Sequence, residues 1–555
     1  MNSLNNARKN MNAWKWIVKN GKRSLISVVI LAVLAILLSL LSLRFTVASK
    51  SVIDIATKQQ SGDLISACVL LGALLIIQLI LQVSVNFINV HANASLDIAL
   101  KKSVFKTLIT KDYLSVTKFH SGELLNRLTS DINIIVGGII AIVPQICLLL
   151  TSIIGGFMIL YNLDRFFANI VLIVGPVLLI CGRLYSKRFK QLHKDCQQAD
   201  GKTRSFMQEA LQNILVIKSF NNQNDILLRS ETLQKDAYKL KIKRVKISLF
   251  AHICMYLVFN AGYYFALGYG AYRLSQGLIT FGTITAMLQL VGKIQTPFKD
   301  ISSMIPRFFA VSASVERIIE LEQMPDEEKT DNACTYSQLQ KIVFDNVSFA
   351  YENNNPVIDN ASLEVNKGEF VVISGQSGIG KSTAMKLILG IIKPDSGKAY
   401  IQTDSDEITL GEATRSLFAY VPQGNLILSG TIRENVAFGK KDAKDEDIIR
   451  ALELAQIWDY ISSLPEGLDT ILGEKGLGLS EGQIQRISIA RALLYDAPVL
   501  LLDESTSALD EVTEAEFLKT LKNMTDKTCI IISHKKAAME ICDKVIDYGR
   551  FKVKE

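Results

Sequence analysis

The sequence predicts an α-helical membrane domain followed by an α/β domain, and three observations support this division. Long apolar stretches all lie before residue 310. Short β-type runs alternate with helical stretches only after residue 340. Charge divides at the same place, because residues 1–335 carry 37 Lys and Arg against 21 Asp and Glu, whereas residues 336–555 carry 24 against 33.

The composition excludes several classes of protein. With 49% hydrophobic and 21% charged residues, the chain is too apolar to be disordered or collagen-like. The eight cysteines form no CxxC pair and several lie inside apolar stretches, which indicates buried thiols and neither a disulfide framework nor a zinc site. The basic half also holds the apolar stretches, so basic loops beside a membrane explain its charge better than nucleic acid does. We therefore expect no nucleic-acid partner.

Six stretches are candidates for membrane-spanning helices. A helix rises about 1.5 Å per residue and the hydrocarbon core is about 30 Å thick, so a span needs about 20 apolar residues. Only helices satisfy the backbone polar groups of such stretches in lipid. The stretches are 24–43, 64–90, 132–163, 166–182, 247–272, and a sixth that begins at Leu274 or Phe281 and ends near Ile305.

The basic residues predict the orientation of the membrane domain. Lys and Arg concentrate in residues 1–23, 91–131 and 183–246, and the alternate connections are nearly bare. Basic connections stay in the cytoplasm, so we expect both termini and the α/β domain there. The two internal basic connections are long, which predicts that helices 2 and 3, and helices 4 and 5, continue into the cytoplasm. Residues 1–23 predict a helix lying on the cytoplasmic membrane surface.

Polar residues inside the spans allow two interpretations. In the second and fifth spans they fall on one helix face, which suits either hydrogen bonding between helices or a water-filled path for cargo. The position of Lys293 in the sixth span also allows two interpretations. If the span starts at Leu274, Lys293 reaches the inner membrane surface; if it starts at Phe281, Lys293 lies mid-membrane and could attract an anionic group.

We place the membrane domain at 24–325, a polar linker at 326–340 and the α/β domain at 341–555.

A glycine-rich loop predicts a nucleotide site in the α/β domain. Residues 369–374 read as a buried strand, and a helical pattern begins at Thr383. Between them stand Gly375, Gln376, Ser377, Gly378, Ile379, Gly380, Lys381 and Ser382, which match the pattern G-x-x-x-x-G-K-S. The glycines let backbone N–H groups surround phosphates, Lys381 would neutralise phosphate oxygens, and Ser382 would ligate Mg²⁺. A chance match does not explain the flanking strand and helix.

Two carboxylates predict the hydrolytic chemistry. The apolar run 499–502 reads as a buried strand and delivers Asp503 and Glu504 to its carboxyl end, where α/β sheets bind ligands. Asp503 would hold Mg²⁺, and Glu504 would act as general base on the attacking water. A surface Asp-Glu pair would fit poorly on so apolar a strand.

These residues, in this order, resemble the ATP-binding cassette (ABC) transporters over the whole chain. Residues 478–483, Gly-Leu-Ser-Glu-Gly-Gln, resemble the family signature, which is far more specific than the phosphate loop. The resemblance implies the type I exporter fold, with six transmembrane helices fused to one α/β P-loop NTPase domain: a half-transporter. It also implies that Ser480, Gly482 and Gln483 of one subunit contact ATP held by the other. Glu481 stands where the family usually has glycine, and we expect it to point to solvent.

Other roles follow from the resemblance position by position. It implies that Tyr351 stacks on adenine and that Gln423 ligates Mg²⁺ and senses the membrane domain. It further implies that Asp510 lies in a loop that crosses the dimer and that His534 contacts the γ-phosphate. Residues 120–131 and 209–220 resemble the intracellular loops that carry the coupling helices of exporters.

The resemblance implies an ATP hydrolase that exports a hydrophobic or amphipathic cargo (drug, lipid or peptide) across the cytoplasmic membrane of a bacterium. ATP and Mg²⁺ are the expected cofactors, and a second half-transporter, the same or a sister chain, is the expected partner beside the lipid bilayer. The alternative is an ATP-gated regulator or sensor that moves no cargo. An importer fits poorly, because its membrane and ATPase parts are usually separate chains.

Overall fold

The computed structural model describes residues 16, 22–329, 334–351, 355–376, 378–424, 427–473, 478–507 and 509–547. The predicted surface helix over residues 1–23 therefore lies almost wholly outside the described residues, and so does Ser377. The chain divides into two compact units. One comprises residues 1–109 and 120–323; the other comprises residues 110–119 and 324–555.

Long helices build the first unit. In chain order the helices are α1 (Lys22–Ala56), α2 (Leu64–Ile109), α3 (Tyr113–Thr117), α4 (Ser121–Asn126), α5 (Ile132–Leu163), α6 (Arg165–Gln212), α7 (Ile214–Ser219), α8 (Gln223–Ser275) and α9 (Phe281–Glu322). Of these, α3 belongs to the second unit. A short π-helix, Arg127–Asp131, joins α4 to α5.

Length and apolarity mark the membrane-crossing part of this unit. Among the described residues, three helical stretches are long and apolar enough to cross a membrane: Ile26–Ala56, Leu64–Ile109 and Ser121–Leu163. Helices α6, α8 and α9 contain the other three predicted stretches. At about 1.5 Å per residue, the 46 residues of α2 and the 53 of α8 far exceed the hydrocarbon thickness. These helices therefore continue beyond the membrane, as the long basic connections predicted.

One helix boundary differs from the prediction, and the structure decides another that the sequence left open. Helix α1 continues to Ala56 through the residues expected to form an outer loop, because residues 44–56 contain no Gly or Pro that would end a helix. The sixth helix begins at Phe281, with Thr280 as its N-cap. Lys293 thus lies about 18 Å along α9 from its first residue. Its ammonium donates to the carbonyl of Ser42 and, at 2.7 Å, to the hydroxyl of Thr46 on α1. Of the two predicted starts of the sixth helix, the structure has Phe281; the depth of Lys293 in the membrane stays a prediction.

Glycines allow close helix packing in this unit. A Cβ on Gly138 of α5 would lie 2.0 Å from Val311 of α9, so the two helices meet at that glycine. At the other end of α9, the backbone N–H of Gly282 donates to the buried carboxylate of Asp54 at 2.9 Å. The carboxylate supplies an orphan N–H of the α9 N-terminus with a partner.

The second unit is an α/β domain. Its strands are β1 (Lys341–Phe349), β2 (Ile358–Asn366), β3 (Phe370–Ser374), β4 (Ser396–Gln402), β5 (Glu407–Thr409), β6 (Phe418–Val421), β7 (Gly430–Thr431), β8 (Ile471–Leu472), β9 (Val499–Asp503), β10 (Thr528–Ile532) and β11 (Lys544–Asp547). Its α-helices after α3 are α10 (Lys381–Ile388), α11 (Ile432–Val436), α12 (Asp445–Leu454), α13 (Trp458–Ser462), α14 (Glu481–Tyr495), α15 (Glu511–Lys522) and α16 (Lys536–Ile541).

The strands of this unit form a parallel sheet and an antiparallel sheet, and the parallel sheet positions the candidate site. A parallel sheet has the strand order β11-β3-β10-β9-β6, and an antiparallel sheet has the order β2-β1-β4-β5. Strands β9 and β10 are buried along their whole length, because helices cover a parallel sheet on both faces. The carboxyl ends of β3, β10, β9 and β6 are adjacent and form one edge.

Residues 110–119 pack on this unit beside the start of the predicted linker. Lys111 donates to the Met324 carbonyl and to Asp326, both at 2.7 Å. Glu327 pairs with Arg415 at 2.5 Å. The first residues of the predicted linker are therefore held by ion pairs within the second unit.

Candidate functional site

The candidate site lies at the carboxyl edge of the parallel sheet. A residue singled out in the sequence follows each of its neighbouring strands within two positions: Gly375 after β3, His534 after β10, Glu504 after β9 and Gln423 after β6. Parallel pairing, with Ile532 opposite both Ile373 and Asp503, brings these strand ends together. This is the edge at which open α/β sheets bind ligands.

The glycine-rich loop curls over the start of α10. Gly380 adopts φ 108°, and a Cβ there would lie 2.8 Å from the Val357 carbonyl oxygen, so no larger residue fits without a shift. The buried Lys381 ammonium donates to the carbonyls of Gly375 at 2.7 Å and Gln376 at 2.9 Å. The lysine therefore lies inside the loop, beside the N-terminus of α10, where an anion is favoured.

Asp503 is buried and held by two hydroxyl donors. The Ser382 hydroxyl donates to its Oδ1 at 3.0 Å, and the Tyr420 hydroxyl donates to its Oδ2 at 3.2 Å. Burial raises the pKa of the Asp503 carboxyl, and the two hydrogen bonds act in the opposite direction. Burial and the nearby Asp503 also raise the pKa of Tyr420, so its hydroxyl stays a donor. Tyr420 was not among the predicted site residues.

Glu504 occupies the centre of the edge. Its backbone has φ 48°, an uncommon conformation for a non-glycine residue and one that concentrates at functional sites. The Gln423 amide donates to its Oε2 at 2.7 Å. Its Oε1 lies 3.5 Å from Nε2 of His534 and 4.0 Å from Nζ of Lys381. The carboxylate thus meets one residue from each neighbouring strand end.

The donor chemistry of this edge suits Mg²⁺. No group of three or more His, Cys, Asp or Glu residues that could hold a metal occurs among the described residues. The oxygens of Ser382 and Asp503 nevertheless lie 3.0 Å apart, and Gln423 offers an amide oxygen while its nitrogen bonds Glu504. Mg²⁺ takes few protein oxygens when phosphate oxygens and waters supply the rest, so these residues fit it.

Tyr351 borders the glycine-rich loop. Its hydroxyl lies 3.3 Å from that of Thr383, and its ring meets Phe349 edge-on with centroids 5.0 Å apart. The Tyr351 side chain is 46% exposed. Part of Tyr351 is therefore accessible next to the glycine-rich loop.

Residues 478–483, which resemble the family signature, lead into the N-terminus of α14. Ser480 is the N-cap of α14: it accepts from the Gln483 N–H at 3.3 Å, and its own N–H donates to Oε1 of Gln483 at 2.7 Å. Glu481 is exposed in the first turn, where a carboxylate is favourable. Among the described residues, no hydrogen bond or ion pair joins Ser480, Gly482 or Gln483 to the glycine-rich loop of the same chain.

Asp510 has a local role. It is the N-cap of α15, accepting from the Thr513 N–H at 3.0 Å and from its hydroxyl at 2.7 Å. These bonds lower the pKa of the Asp510 carboxyl. The neighbouring loop is anchored by Lys535, which donates to the Thr506 and Leu509 carbonyls and pairs with Glu514 at 2.9 Å.

In the first unit, the buried side chains of Arg127 and Asp131, within the predicted intracellular loop, form ion pairs with partly exposed partners. Arg127 donates to Glu123 at 2.7 Å and to Glu320 at 2.8 Å. Asp131 accepts from Ser314 at 2.9 Å and from Arg317 at 2.7 Å. The π-helix between α4 and α5 is thereby fixed to the end of α9. The short helix α7 is different: Ile214, Leu215, Val216 and Phe220 at its surface are all exposed.

An apolar groove lies between α5 and α9. Its volume is about 430 Å³. It is lined by Ile142, Ile146, Leu149, Leu150, Ile153, Met304, Phe308 and Phe309.

Comparison with known proteins identifies the family of this chain. Residues 28–298 match the ABC transporter transmembrane region, and residues 358–507 match the ABC transporter family. A Rickettsia felis protein, provisionally named an export ATP-binding/permease protein, is 32% identical over 83% of this chain and 81% of its own length. An ATP-dependent lipid A-core flippase of Chromobacterium violaceum is 30% identical over 80% of this chain and 77% of its own.

A solved structure supports the fold. A bacterial Atm1-family ABC exporter with ATP bound superposes with a TM-score of 0.79 at 23% identity, covering 95% of this chain and 94% of the other. One membrane domain fused to one nucleotide-binding domain is the half-transporter arrangement, which implies a dimer. The chain belongs to the ABC transporters and is an ATP-hydrolysing half-transporter with the type I exporter fold.

Proposed function

We propose that the chain exports a hydrophobic or amphipathic cargo by an alternating-access cycle driven by ATP. The observation that carries this proposal is the meeting of Lys381, Gln423, Glu504 and His534 at one sheet edge. A lysine in a glycine-rich loop binds phosphate oxygens, and a carboxylate fixed beside it can orient water for in-line attack. The same chain carries the membrane helices, so one polypeptide contains both the site of hydrolysis and the helices that would move cargo.

Each site residue has a proposed part in hydrolysis. Lys381 and the backbone N–H groups of the glycine-rich loop hold the β- and γ-phosphates. Glu504 accepts a proton from the attacking water. Gln423 and His534 hold the Glu504 carboxylate from two sides, so it keeps one orientation. Ser382, Asp503 and Gln423 would hold Mg²⁺, which neutralises charge on the phosphate oxygens.

A second half-transporter completes the ATP site in this proposal. Ser480 and Gln483 cap the start of α14 by hydrogen bonds to each other, and we assign the α14 N-terminus, with Gly482, to the ATP of the partner. The exposed apolar residues of α7 support a partner as well, because a cluster of exposed apolar side chains marks an interaction surface. A homodimer and a heterodimer with a sister chain both satisfy these observations.

ATP then acts as the ligand that favours the closed dimer. Its binding between two nucleotide-binding domains draws them together, and the intracellular loops pass that movement to the membrane helices. Hydrolysis and phosphate release separate the domains. We place the complex in the cytoplasmic membrane of a bacterium with both termini inside, in keeping with the basic connections and the bacterial relatives.

The groove between α5 and α9 supports an apolar cargo. Every side chain that lines it is apolar, and its volume suits an acyl chain or an aromatic group. The relative named as a lipid A-core flippase supports a lipid among the three cargo classes of drug, lipid and peptide. A regulator or sensor that moves nothing is the alternative.

Reconstitution tests the proposal. The purified chain is placed in proteoliposomes that contain a fluorescent short-chain phospholipid or a lipophilic dye, with ATP outside. Export predicts ATP-dependent movement of at least one probe and increased ATP hydrolysis in its presence, both absent in Glu504→Gln. ATP hydrolysis that no probe, lipid or peptide increases, without movement of any, would favour the regulator.

A further inference from the structure

The ammonium of Lys386 lies within 6 Å of the ring centroids of two tyrosines in the second unit. Lys386 is on α10, five residues after Lys381. Its Nζ is 5.6 Å from the ring centroid of Tyr113 and 5.9 Å from that of Tyr351. In the part of the chain that the structure describes, this ammonium has no hydrogen bond or ion pair. A cation within about 6 Å of a ring centroid is attracted to the ring, so the two tyrosines share one charge.

Tyr113 is held firmly at one side of this arrangement. It opens α3, whose N-cap Asp112 accepts from the Ser115 N–H at 3.0 Å. The Asp112 N–H donates to the Pro325 carbonyl at 3.0 Å, and Leu114 packs against the apolar core of the unit. The ring of Tyr113 therefore moves with α3 and with the start of the predicted linker.

Tyr351 stands on the other side, next to the glycine-rich loop. Its ring is tied to Phe349 and its hydroxyl lies beside Thr383, while its remaining surface is exposed. Lys386 also acts on Asp503 electrostatically. It thus lies near both the proposed adenine end and the proposed Mg²⁺ end of the nucleotide site, and its ammonium is within 6 Å of the ring centroids of both Tyr113 and Tyr351.

We propose that Lys386 is a positioning residue that couples nucleotide binding to α3 of the same chain. This inference rests on the proposed stacking of adenine on Tyr351. Adenine restrains the Tyr351 ring, the ring restrains the Lys386 ammonium, and the ammonium restrains Tyr113. Coupling is reciprocal, so Tyr113 must influence nucleotide affinity although it has no proposed contact with the nucleotide.

A double-mutant cycle measures this coupling. The full-length protein in lipid nanodiscs is titrated with AMP-PNP by calorimetry. Tyr113→Ala and Lys386→Met should each raise the Kd about two- to fivefold, and the double variant should raise it no further, because both remove one shared contact. Lys386→Arg should keep the wild-type Kd. Lys398→Met, which removes an exposed lysine paired with Glu407, is the matched control and should change nothing.

Hydrogen exchange at saturating nucleotide gives a second readout. A change in nucleotide affinity alone does not change it, because every site is occupied. At saturating AMP-PNP, the amides of residues 112–119 should exchange more slowly in the wild type and in Lys398→Met. In Lys386→Met the nucleotide should no longer slow them.

The outcomes separate this inference from the proposed function. An unchanged Kd in Tyr351→Ala would overturn the adenine assignment and the coupling with it. If Tyr351→Ala weakens binding but Tyr113→Ala and Lys386→Met act additively or not at all, only the coupling is overturned. The same holds if nucleotide still slows exchange of residues 112–119 in Lys386→Met.

Discussion

The amide of Gln423 donates a hydrogen bond of 2.7 Å to the carboxylate of Glu504. This bond links the end of β6 to the end of β9 and fixes the proposed general base. Glu504 also has φ 48°, so its backbone and its side chain are both constrained. A carboxylate held in this way loses little freedom when it orients water, which is how a positioned base contributes to rate.

Replacing Glu504 by Gln should separate binding from hydrolysis. The amide keeps the size of the side chain but cannot accept a proton. ATP hydrolysis in lipid should fall about 100- to 1000-fold, while the Kd for ATP changes less than about twofold. Glu516→Gln, an exposed glutamate of α15, is the matched control. Hydrolysis at the wild-type rate in Glu504→Gln would remove Glu504 from the role of base.

Tyr420→Phe should raise the Mg²⁺ concentration that ATP binding requires. The variant removes the hydroxyl that donates to Asp503 and leaves the ring in place. The Mg²⁺ concentration that gives half-maximal ATP binding should rise about tenfold, since a hydrogen bond to a charged group contributes at least about 1.5 kcal/mol. ATP affinity without Mg²⁺ should not change. Tyr400→Phe on β4 serves as control, and an identical Mg²⁺ dependence in all three proteins would show that Tyr420 does not position Asp503.

Two glycines of the phosphate loop should respond differently to alanine. Both have positive φ, 82° at Gly378 and 108° at Gly380, but only at Gly380 does a Cβ meet the backbone, at 2.8 Å from the Val357 carbonyl oxygen. Gly380→Ala should therefore bind ATP about tenfold more weakly than Gly378→Ala, in line with strain of about 1–3 kcal/mol. Equal affinities, measured by titration of the two purified variants, would contradict the close approach.

Asp131→Asn should destabilise the first unit. The buried Asp131 carboxylate accepts from Ser314 and Arg317, and the variant leaves the guanidinium without its counter-charge. Arg317 is 45% exposed, so the loss should be about 2 kcal/mol, less than for a fully buried pair. A lower thermal unfolding temperature in detergent would report it. Asp236→Asn, which breaks an exposed pair with Lys239, should stay within about 0.5 kcal/mol; equal shifts in both variants would argue against the pairing of Asp131 with Arg317.

The grouping of the candidate site residues at one sheet edge was predictable because they follow one another in local patterns, whereas their roles stay predictions. Lys381 and Ser382 stand in a fixed loop between a strand and a helix, and Asp503 and Glu504 end an apolar strand. Tyr420 was missed because its bond to Asp503 depends on β6 pairing with β9, about 80 residues apart in sequence. The only available signal was its position three residues before Gln423.

The membrane unit was predictable in outline and less so in detail. Apolar length located the helices, but hydropathy alone could not choose between Leu274 and Phe281 as a helix start. The choice depends on Thr280, whose hydroxyl accepts from the Thr283 N–H at 3.1 Å, and on Asp54, which accepts from Gly282. The joining of residues 110–119 to the second unit likewise depends on contacts with residues 324–327, far along the chain.

Complementation between two inactive variants tests the shared ATP site most directly. Lys381→Ala damages the phosphate loop and Ser480→Arg damages the signature, so each variant alone should lose ATP hydrolysis. Co-produced in equal amounts, half of the randomly paired dimers contain one of each, and each such dimer has one intact composite site. The account predicts recovery to about one quarter of wild-type hydrolysis in lipid. If the wild type is active and the mixture stays as inactive as the single variants, each chain completes its own site and the account is wrong.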